Sequence, residues 1–148
     1  MAFDFFAGDL LCPRCGKVAA GSSSNIQTKI RTDAAVEELR AGARVDASPE
    51  NLRESDYLEY RSPAGAEVGL IEGWWCPACR GKNWALISIR DGVIREVSAA
   101  ADVRKALAAA NYVSDEEHAA LFEDLTGSSA EGRGRKDLLD ALARAGQK

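Results

Sequence analysis

Two short stretches decide the fold, Cys12-Pro13-Arg14-Cys15-Gly16 and Cys76-Pro77-Ala78-Cys79-Arg80-Gly81. Together they hold all four cysteines of the 148-residue chain. A C-x-x-C turn directs two thiolates toward one point, and proline after the first cysteine fixes φ near about −65°, which favours the turn. Glycine after the second cysteine, as at Gly16, allows the left-handed conformation through which the chain leaves. The two turns therefore predict one set of four sulfur ligands.

A tetrahedral set of four thiolates suits Zn²⁺ at Zn–S distances of about 2.3 Å. Four protein ligands leave no open coordination position, so the sequence predicts one structural zinc ion held by Cys12, Cys15, Cys76 and Cys79. Two alternatives stay open. The same sulfurs accept iron with a one-electron role, and a C-x-x-C pair is also typical of thiol–disulfide exchange.

The two turns resemble the knuckles of a zinc ribbon of the rubredoxin-like type, over Cys12–Gly16 and Trp74–Arg90. The resemblance implies a Cys₄ zinc-binding domain in which each knuckle lies in a β-hairpin turn. It does not specify a function, because such ribbons occur in transcription, ribosomal, redox and adaptor proteins. The chain departs from the pattern in two ways: sixty residues separate Cys15 from Cys76, and Arg80 is inserted before the second glycine. We therefore expect a subdomain built between the knuckles.

The sequence pattern predicts strands over 1–11, 26–31, 57–61 and 67–73, a loop over 18–25, a short helix over 33–41 and a helical turn from Ser48-Pro49. The clearest hairpin joins residues 84–90 to 93–97 through Asp91-Gly92, the preferred type I′ connection. Its first strand is apolar on both faces and is expected in the middle of a sheet.

From residue 99 the chain is rich in alanine, and its pattern predicts three helices. The first covers 99–110, the second begins at a capping box formed by Ser114 and Glu117, and the third covers 136–145. A flexible linker is expected over 127–134. The fold class is thus α+β: a β-rich zinc-ribbon-like domain over 1–98 with an insertion between the knuckles, then a helical region over 99–148. The last helix is too short to be stable alone and must pack on this chain, a second copy or a partner.

The sequence does not predict an enzyme. The chain lacks a P-loop, G-x-G-x-x-G and G-x-S-x-G. His118, the one histidine, lies on a predicted apolar helix face, and a Cys–His nucleophilic pair needs a cysteine outside the metal site. The acidic clusters Asp115-Glu116-Glu117 and Glu123-Asp124 are interpreted as solvated helix surface.

A candidate binding surface flanks the cysteines and consists of Arg14, Lys17, Trp75, Arg80 and Lys82. Aromatic rings that stack on bases and cations that meet phosphate are typical of nucleic-acid binding. Alternatively, tryptophans cover the thiolates and the cations offset the negative charge of a Zn(Cys)₄ unit. The formal net charge of −4 favours this second interpretation.

The sequence thus predicts a non-catalytic zinc-binding protein whose Cys₄ site stabilises a protein-interaction module, of the adaptor, inhibitor or immunity, or assembly-factor type. A nucleic-acid-associated zinc ribbon of transcription or translation is the alternative, and a rubredoxin-like iron electron carrier is a lower one. No apolar run reaches the roughly 18–20 residues of a membrane span, and the N-terminus lacks a basic start. We expect a cytoplasmic, bacterial protein.

Overall fold

The structure, a computed structural model, describes residues 4–21, 24–30 and 38–147. In this part of the chain the fold is mixed α+β and consists mostly of strands. The strands are β1 (Asp4–Phe6), β2 (Leu10–Leu11), β3 (Val18–Ala19), β4 (Ile26–Thr28), β5 (Glu38–Leu39), β6 (Tyr57–Glu59), β7 (Glu67–Trp75), β8 (Lys82–Arg90), β9 (Val93–Ala99) and β10 (Tyr112–Ser114). The helices are α1 (Pro49–Glu54), α2 (Val103–Ala109), α3 (His118–Thr126) and α4 (Arg135–Ala145).

A five-stranded sheet in the order β6-β10-β7-β8-β9 organises the molecule. Its β10–β7 pair is parallel and its other pairs are antiparallel. The predicted hairpin is confirmed: Asp91 and Gly92 join β8 to β9 with φ of 53° and 74°, the left-handed values of a type I′ turn. The predicted central position of this strand is confirmed as well, since β8 lies between β7 and β9.

The two faces of this sheet bury two hydrophobic clusters. Because side chains alternate along a strand, Leu70 of β7 belongs to one cluster and its neighbour Ile71 to the other. The first cluster is completed by β1, β2, β4 and α1, and the second by α2, α3 and α4. The first cluster also contains Cys12 and Cys76, so the cysteine turns are continuous with the core.

The C-terminal region contains a strand that the sequence analysis did not predict. Residues 112–114 form β10, which lies inside the main sheet between β6 and β7. Ser114 is therefore a strand residue and not a helix cap, and α3 begins at His118 after Glu117, whose side chain makes no capping bond. The division into two domains at residue 98 stays a prediction. The main sheet contains β6, β7 and β8 from before this residue and β10 from after it.

The last helix packs on the chain itself, one of the three predicted alternatives. Helix α4 contacts both α2 and α3, and Leu138, Leu142 and Ala145 are buried between them. The predicted bounds of 136–145 agree with the structure to within one residue. The first C-terminal helix is shorter than predicted, because β9 continues to Ala99 and Asp102 caps α2.

Two local predictions are wrong. Residues 33–37 of the helix predicted over 33–41 lie outside the described residues, but Glu38–Leu39 is the strand β5, which pairs in parallel with β1. The loop predicted over 18–25 begins with Val18–Ala19, which is β3 and pairs with β2. Both strands are two residues long, and their partner strands, rather than their own propensity, hold them extended.

Gly69 is a point of close contact between the main sheet and α2. A Cβ atom at this position would lie 2.7 Å from Ala110 Cα and 2.9 Å from Ala109 O, both backbone atoms. We expect Gly69→Ala to lower the free energy of unfolding by about 2–3 kcal/mol, because overpacking against backbone forces the helix away. Gly73→Ala in the same strand is the matched control, since its Cβ meets the side-chain ends of Glu117 and Lys82. Urea denaturation should give a clearly smaller loss for the control; equal losses would contradict the prediction.

Candidate metal centre

The first knuckle, Cys12–Gly16, is the turn between β2 and β3. The backbone N–H of Cys12 donates to Lys17 O at 2.9 Å, and the N–H of Gly16 donates to Cys12 O at 2.9 Å. Gly16 has φ of +76°, the left-handed conformation expected from its place in the sequence. These two hydrogen bonds close the turn and hold both cysteines on one side of it.

The second knuckle, Cys76–Gly81, is the turn between β7 and β8. It repeats the same two hydrogen bonds, from Cys76 N–H to Gly81 O at 3.0 Å and from Arg80 N–H to Cys76 O at 2.8 Å. Arg80 therefore occupies the position of Gly16, with φ of +62°, and the interpretation of Arg80 as an insertion is wrong. Both knuckles lie in hairpin turns, as the resemblance implies.

The left-handed conformation of Arg80 disfavours a residue with a side chain by about 1–2 kcal/mol. Its side chain makes no hydrogen bond or ion pair within the described residues. We expect Arg80→Gly to raise the free energy of unfolding of the metal-loaded protein by about 1 kcal/mol. The reciprocal control is Gly16→Ala, where the Cβ has open space and only φ opposes it; we expect a loss of similar size. Denaturant midpoints of the two variants that move in the same direction would contradict this account.

The four sulfur atoms converge on one point. All four cysteine Sγ atoms lie within 4.8 Å of one another, and Cys12–Cys79 and Cys15–Cys76 are each 3.7 Å apart. A tetrahedron with metal–sulfur distances of about 2.3 Å has edges of about 3.8 Å, so the described positions fit a single metal ion. Each close pair joins the two knuckles, and a bound ion would therefore connect the β2–β3 hairpin to the main sheet.

The surroundings of the thiols favour the charged form at two of the four positions. Burial acts to raise the pKa of Cys12, but backbone N–H groups of Cys15 and Arg14 and the neighbouring thiols outweigh it and lower the pKa to about 6. The backbone N–H of Cys79 is the main cause of a lowered pKa at Cys76. At Cys15 the Lys17 N–H favours the thiolate, but burial and the adjacent sulfurs raise the pKa to about 11. Such crowding of anionic sulfurs is what a divalent cation relieves.

Asn83 supports the centre and was missed by the sequence analysis. Its buried side chain donates from Nδ2 to Cys12 Sγ at 3.4 Å and accepts at Oδ1 from Arg14 Nε at 3.2 Å. Arg14 also donates from Nε and Nη2 to the backbone oxygen of Lys82. A Cβ at Gly81 would lie 2.4 Å from Arg14 Cδ, so Gly81 leaves the space that Arg14 fills. Arg14 thus links the first knuckle to the strand that follows the second.

The other members of the candidate binding surface differ in their contacts. Lys82 forms an ion pair with Glu117 at 2.5 Å and lies 5.1 Å from the ring centroid of Trp75, which is 59% exposed. Lys17 and Arg80 are exposed and form no ion pair within the described part of the chain. The two other tryptophans, Trp74 and Trp84, are buried, and Trp74 Nε1 donates to Trp84 O at 3.1 Å.

His118 lies outside the set of sulfur ligands. Its Nδ1 is 2.6 Å from Asp115 O, and its side chain is 13% exposed at the start of α3. The interpretation of the acidic clusters as solvated surface is wrong for Glu117, whose side chain is 19% exposed, whereas Asp124 is exposed as expected. Asp124 accepts a hydrogen bond from Trp84 Nε1 at 2.7 Å, and Glu117 pairs with Lys82.

A polar cleft of about 280 Å³ lies beside the second knuckle and was also missed. At its floor Tyr57 donates a hydrogen bond to Glu72, and Thr28 Oγ1 is 2.7 Å from the Tyr57 hydroxyl. Glu72 is 5% exposed, and burial, reinforced by Glu117 and Glu116, raises its pKa to about 8. The available signal in the sequence is a carboxyl residue at an inward position of β7, between Leu70 and Trp74.

Comparison with protein-family models, with curated proteins and with solved structures finds no match for this chain. Among the described residues, no helix is long and apolar enough to span a membrane. The four clustered cysteines are a site that can bind a metal ion.

Proposed function

We propose that Cys12, Cys15, Cys76 and Cys79 hold one structural Zn²⁺ ion in a zinc-ribbon-like arrangement, and that the domain it stabilises is a non-catalytic protein-interaction module. The observation that carries the proposal is the mutual distance of at most 4.8 Å among the four Sγ atoms. Four sulfur ligands complete a tetrahedral shell and leave no position for a substrate or an activated water. Adaptor, inhibitor or immunity, and assembly-factor roles all fit such a module.

The distribution of exposed apolar side chains supports a protein partner. Within the described residues, the exposed large hydrophobic side chains are Leu11, Val18 and Trp75. Leu11 and Val18 face each other across the first hairpin, and Trp75 precedes the second knuckle. Aromatic side chains are enriched in the central part of protein interfaces, so Trp75 is the residue that most favours a protein partner.

The cations give less support to the nucleic-acid alternative. Lys82 is neutralised by Glu117, and Arg14 is bound to backbone oxygen and Asn83. Lys17 and Arg80 remain, and two phosphate contacts supply only weak, modestly salt-dependent binding.

Metal analysis tests the first half of the proposal. Protein purified without added metal should contain one zinc ion per chain and be colourless. One iron ion per chain, with the red colour of a rubredoxin-type centre, would instead support the electron-carrier alternative. No stoichiometric metal in freshly prepared, reduced protein would overturn the structural-metal proposal.

Affinity capture from the native cell tests the second half, with and without nuclease. We expect a partner that survives nuclease and is lost with the double variant Leu11→Ser/Val18→Ser. The variant must keep its metal and its melting temperature, which both exposed positions allow. A partner removed by nuclease would support the nucleic-acid alternative, and a nuclease-resistant partner retained by the variant would place the interface away from the first hairpin.

A further inference from the structure

The cleft beside the second knuckle is built from five separate parts of the chain. Strands β4, β6, β7 and β8 and the turn before α3 each contribute to its lining. The lining includes Thr28 of β4, Tyr57 of β6, Glu72 and Trp75 of β7, Lys82 of β8, and Glu116 and Glu117 of the turn. Its volume of about 280 Å³ is at the lower limit of small-molecule pockets, so it suits one inserted side chain better than a cofactor.

The charges in this cleft are not balanced. Its lining carries four carboxyl groups and two ammonium groups. Lys29 pairs with Asp56 at 2.9 Å, and Lys82 pairs with Glu117 at 2.5 Å. Glu72 and Glu116 form no ion pair within the described residues, one at the floor and one at the exposed rim. Because burial raises the pKa of Glu72 to about 8, the carboxylate that lacks a counter-ion at neutral pH is that of Glu116, and it attracts a cation to the rim of the cleft.

Trp75 supplies an aromatic wall. Its side chain is 59% exposed, so the indole ring is accessible to a ligand in the cleft. The Lys82 ammonium already lies 5.1 Å from the ring centroid, which indicates that the face of this ring engages cations in the cleft. An indole wall beside the unpaired carboxylate of Glu116 and the carboxyl oxygens of Glu72 is the chemistry that recognises a planar cation.

We propose that the cleft binds the guanidinium group of an arginine side chain presented by a partner polypeptide, with Trp75 stacked on the plane and Glu72 and Glu116 as hydrogen-bond acceptors. Arginine fits better than lysine because its planar fork stacks on aromatic faces and reaches two acceptors at once. The inference rests on the proposed function in one respect, namely that the partner is a protein.

A pair of isosteric probes tests it on the metal-loaded protein. N-acetyl-arginine methylamide and its citrulline counterpart have nearly the same shape and differ in charge. We expect the arginine probe to shift the indole Nε1–H resonance of Trp75, which Trp75→Phe assigns, with a Kd on the order of 1 mM. The citrulline probe should bind at least five-fold more weakly. Equal shifts from both probes, or no shift from either, would overturn the proposal.

Variants locate the interaction. Glu116→Gln should weaken the arginine probe at least five-fold, and the rim position of Glu116 leaves folding unaffected. Because the pKa of Glu72 is raised to about 8, Glu72→Gln should weaken the probe to the same extent above pH 8, where the wild-type carboxyl is ionised. Glu67→Gln, an exposed change in the same strand as Glu72, is the matched control and should leave binding unchanged. If the control weakens binding as much as the two cleft variants, the probe follows overall charge and the cleft is not its site.

The same variants separate this inference from the proposed function. If the wild-type protein captures a nuclease-resistant partner and Glu72→Gln and Glu116→Gln capture it equally well, the interaction module stands and the arginine cleft fails. If the arginine probe binds as described but no protein partner is captured, the cleft stands and the proposed function fails.

Discussion

Replacement of Cys12 or Cys76 by serine should release the metal and abolish the cooperative unfolding transition of the protein. Both side chains are buried in the first hydrophobic cluster, with exposed fractions of 0% and 2%. Structural zinc contributes roughly 10 kcal/mol or more to folding, which is comparable to the whole stability of a domain of this size. Without the ion, the β2–β3 hairpin loses its direct link to the second knuckle and is held to the core by the buried side chains of Leu10 and Ala19.

Circular dichroism and thermal melting, together with metal analysis, measure this effect. The control is His118→Ala, which should keep one metal ion per chain, because His118 bonds to Asp115 and lies outside the sulfur set. Chelation of the wild-type protein should reproduce the Cys12→Ser spectrum. An apo-protein with the native spectrum and melting temperature would show that the metal does not support the fold, and loss of metal from His118→Ala would show that the ligands are misassigned.

The parts of the fold that the sequence predicts well are those whose signals are local. Strands β7, β8 and β9 are long strands of seven to nine residues, and the Asp91-Gly92 dipeptide fixes the turn between the last two. The ligand set is equally local, since each knuckle carries its own proline and cysteine spacing. Helix α4 has a continuous apolar face, so its bounds differ from the prediction by one residue.

The parts that could not be predicted depend on pairing between distant segments. Strands β5 and β10 have two and three residues, and both pair in parallel with strands far away in the chain. The helix-forming composition around them and the capping pattern at Ser114 indicate a different local structure. Tertiary pairing overrides such weak local preferences.

The cleft illustrates the same limit at the level of function. No stretch of sequence contains it, because it forms where five elements meet. Its components have ordinary interpretations one at a time: Glu116 and Glu117 resemble helix surface, and Trp75 resembles a cover for the metal. Only Glu72 departs from its local pattern, as a carboxyl residue at a buried strand position.

The buried carboxyl group of Glu72 should make the stability difference between the wild type and Glu72→Gln depend strongly on pH. Burial raises the pKa of Glu72 from 4.5 to about 8. Between these two values the folded protein holds a proton that the unfolded chain releases, so rising pH favours unfolding through this group by roughly 1 kcal/mol per pH unit. A glutamine has no such proton and keeps an oxygen that accepts from Tyr57.

Other groups around Glu72 also affect how the stability difference depends on pH. Tyr57 and Ser114 donate hydrogen bonds to it, and Glu116 and Glu117 contribute negative charge. Metal-bound thiolates add an opposite slope, because unfolding returns protons to the cysteines, but this slope is equal in both proteins and cancels in their difference. Denaturation of the metal-loaded proteins from pH 6 to 8 should therefore show Glu72→Gln gaining roughly 2–3 kcal/mol relative to the wild type.

Glu67→Gln provides the matched control, because Glu67 lies in the same strand and its side chain is 72% exposed. Its stability difference from the wild type should stay constant over the same pH range. A direct reading comes from the carboxyl carbon resonance of Glu72, which should titrate with a midpoint near pH 8. If that resonance titrates near 4.5, or if Glu72→Gln follows the wild type at every pH, Glu72 is charged in the native protein. The floor of the cleft would then be an anion throughout the neutral range, and an arginine would meet it without displacing a proton.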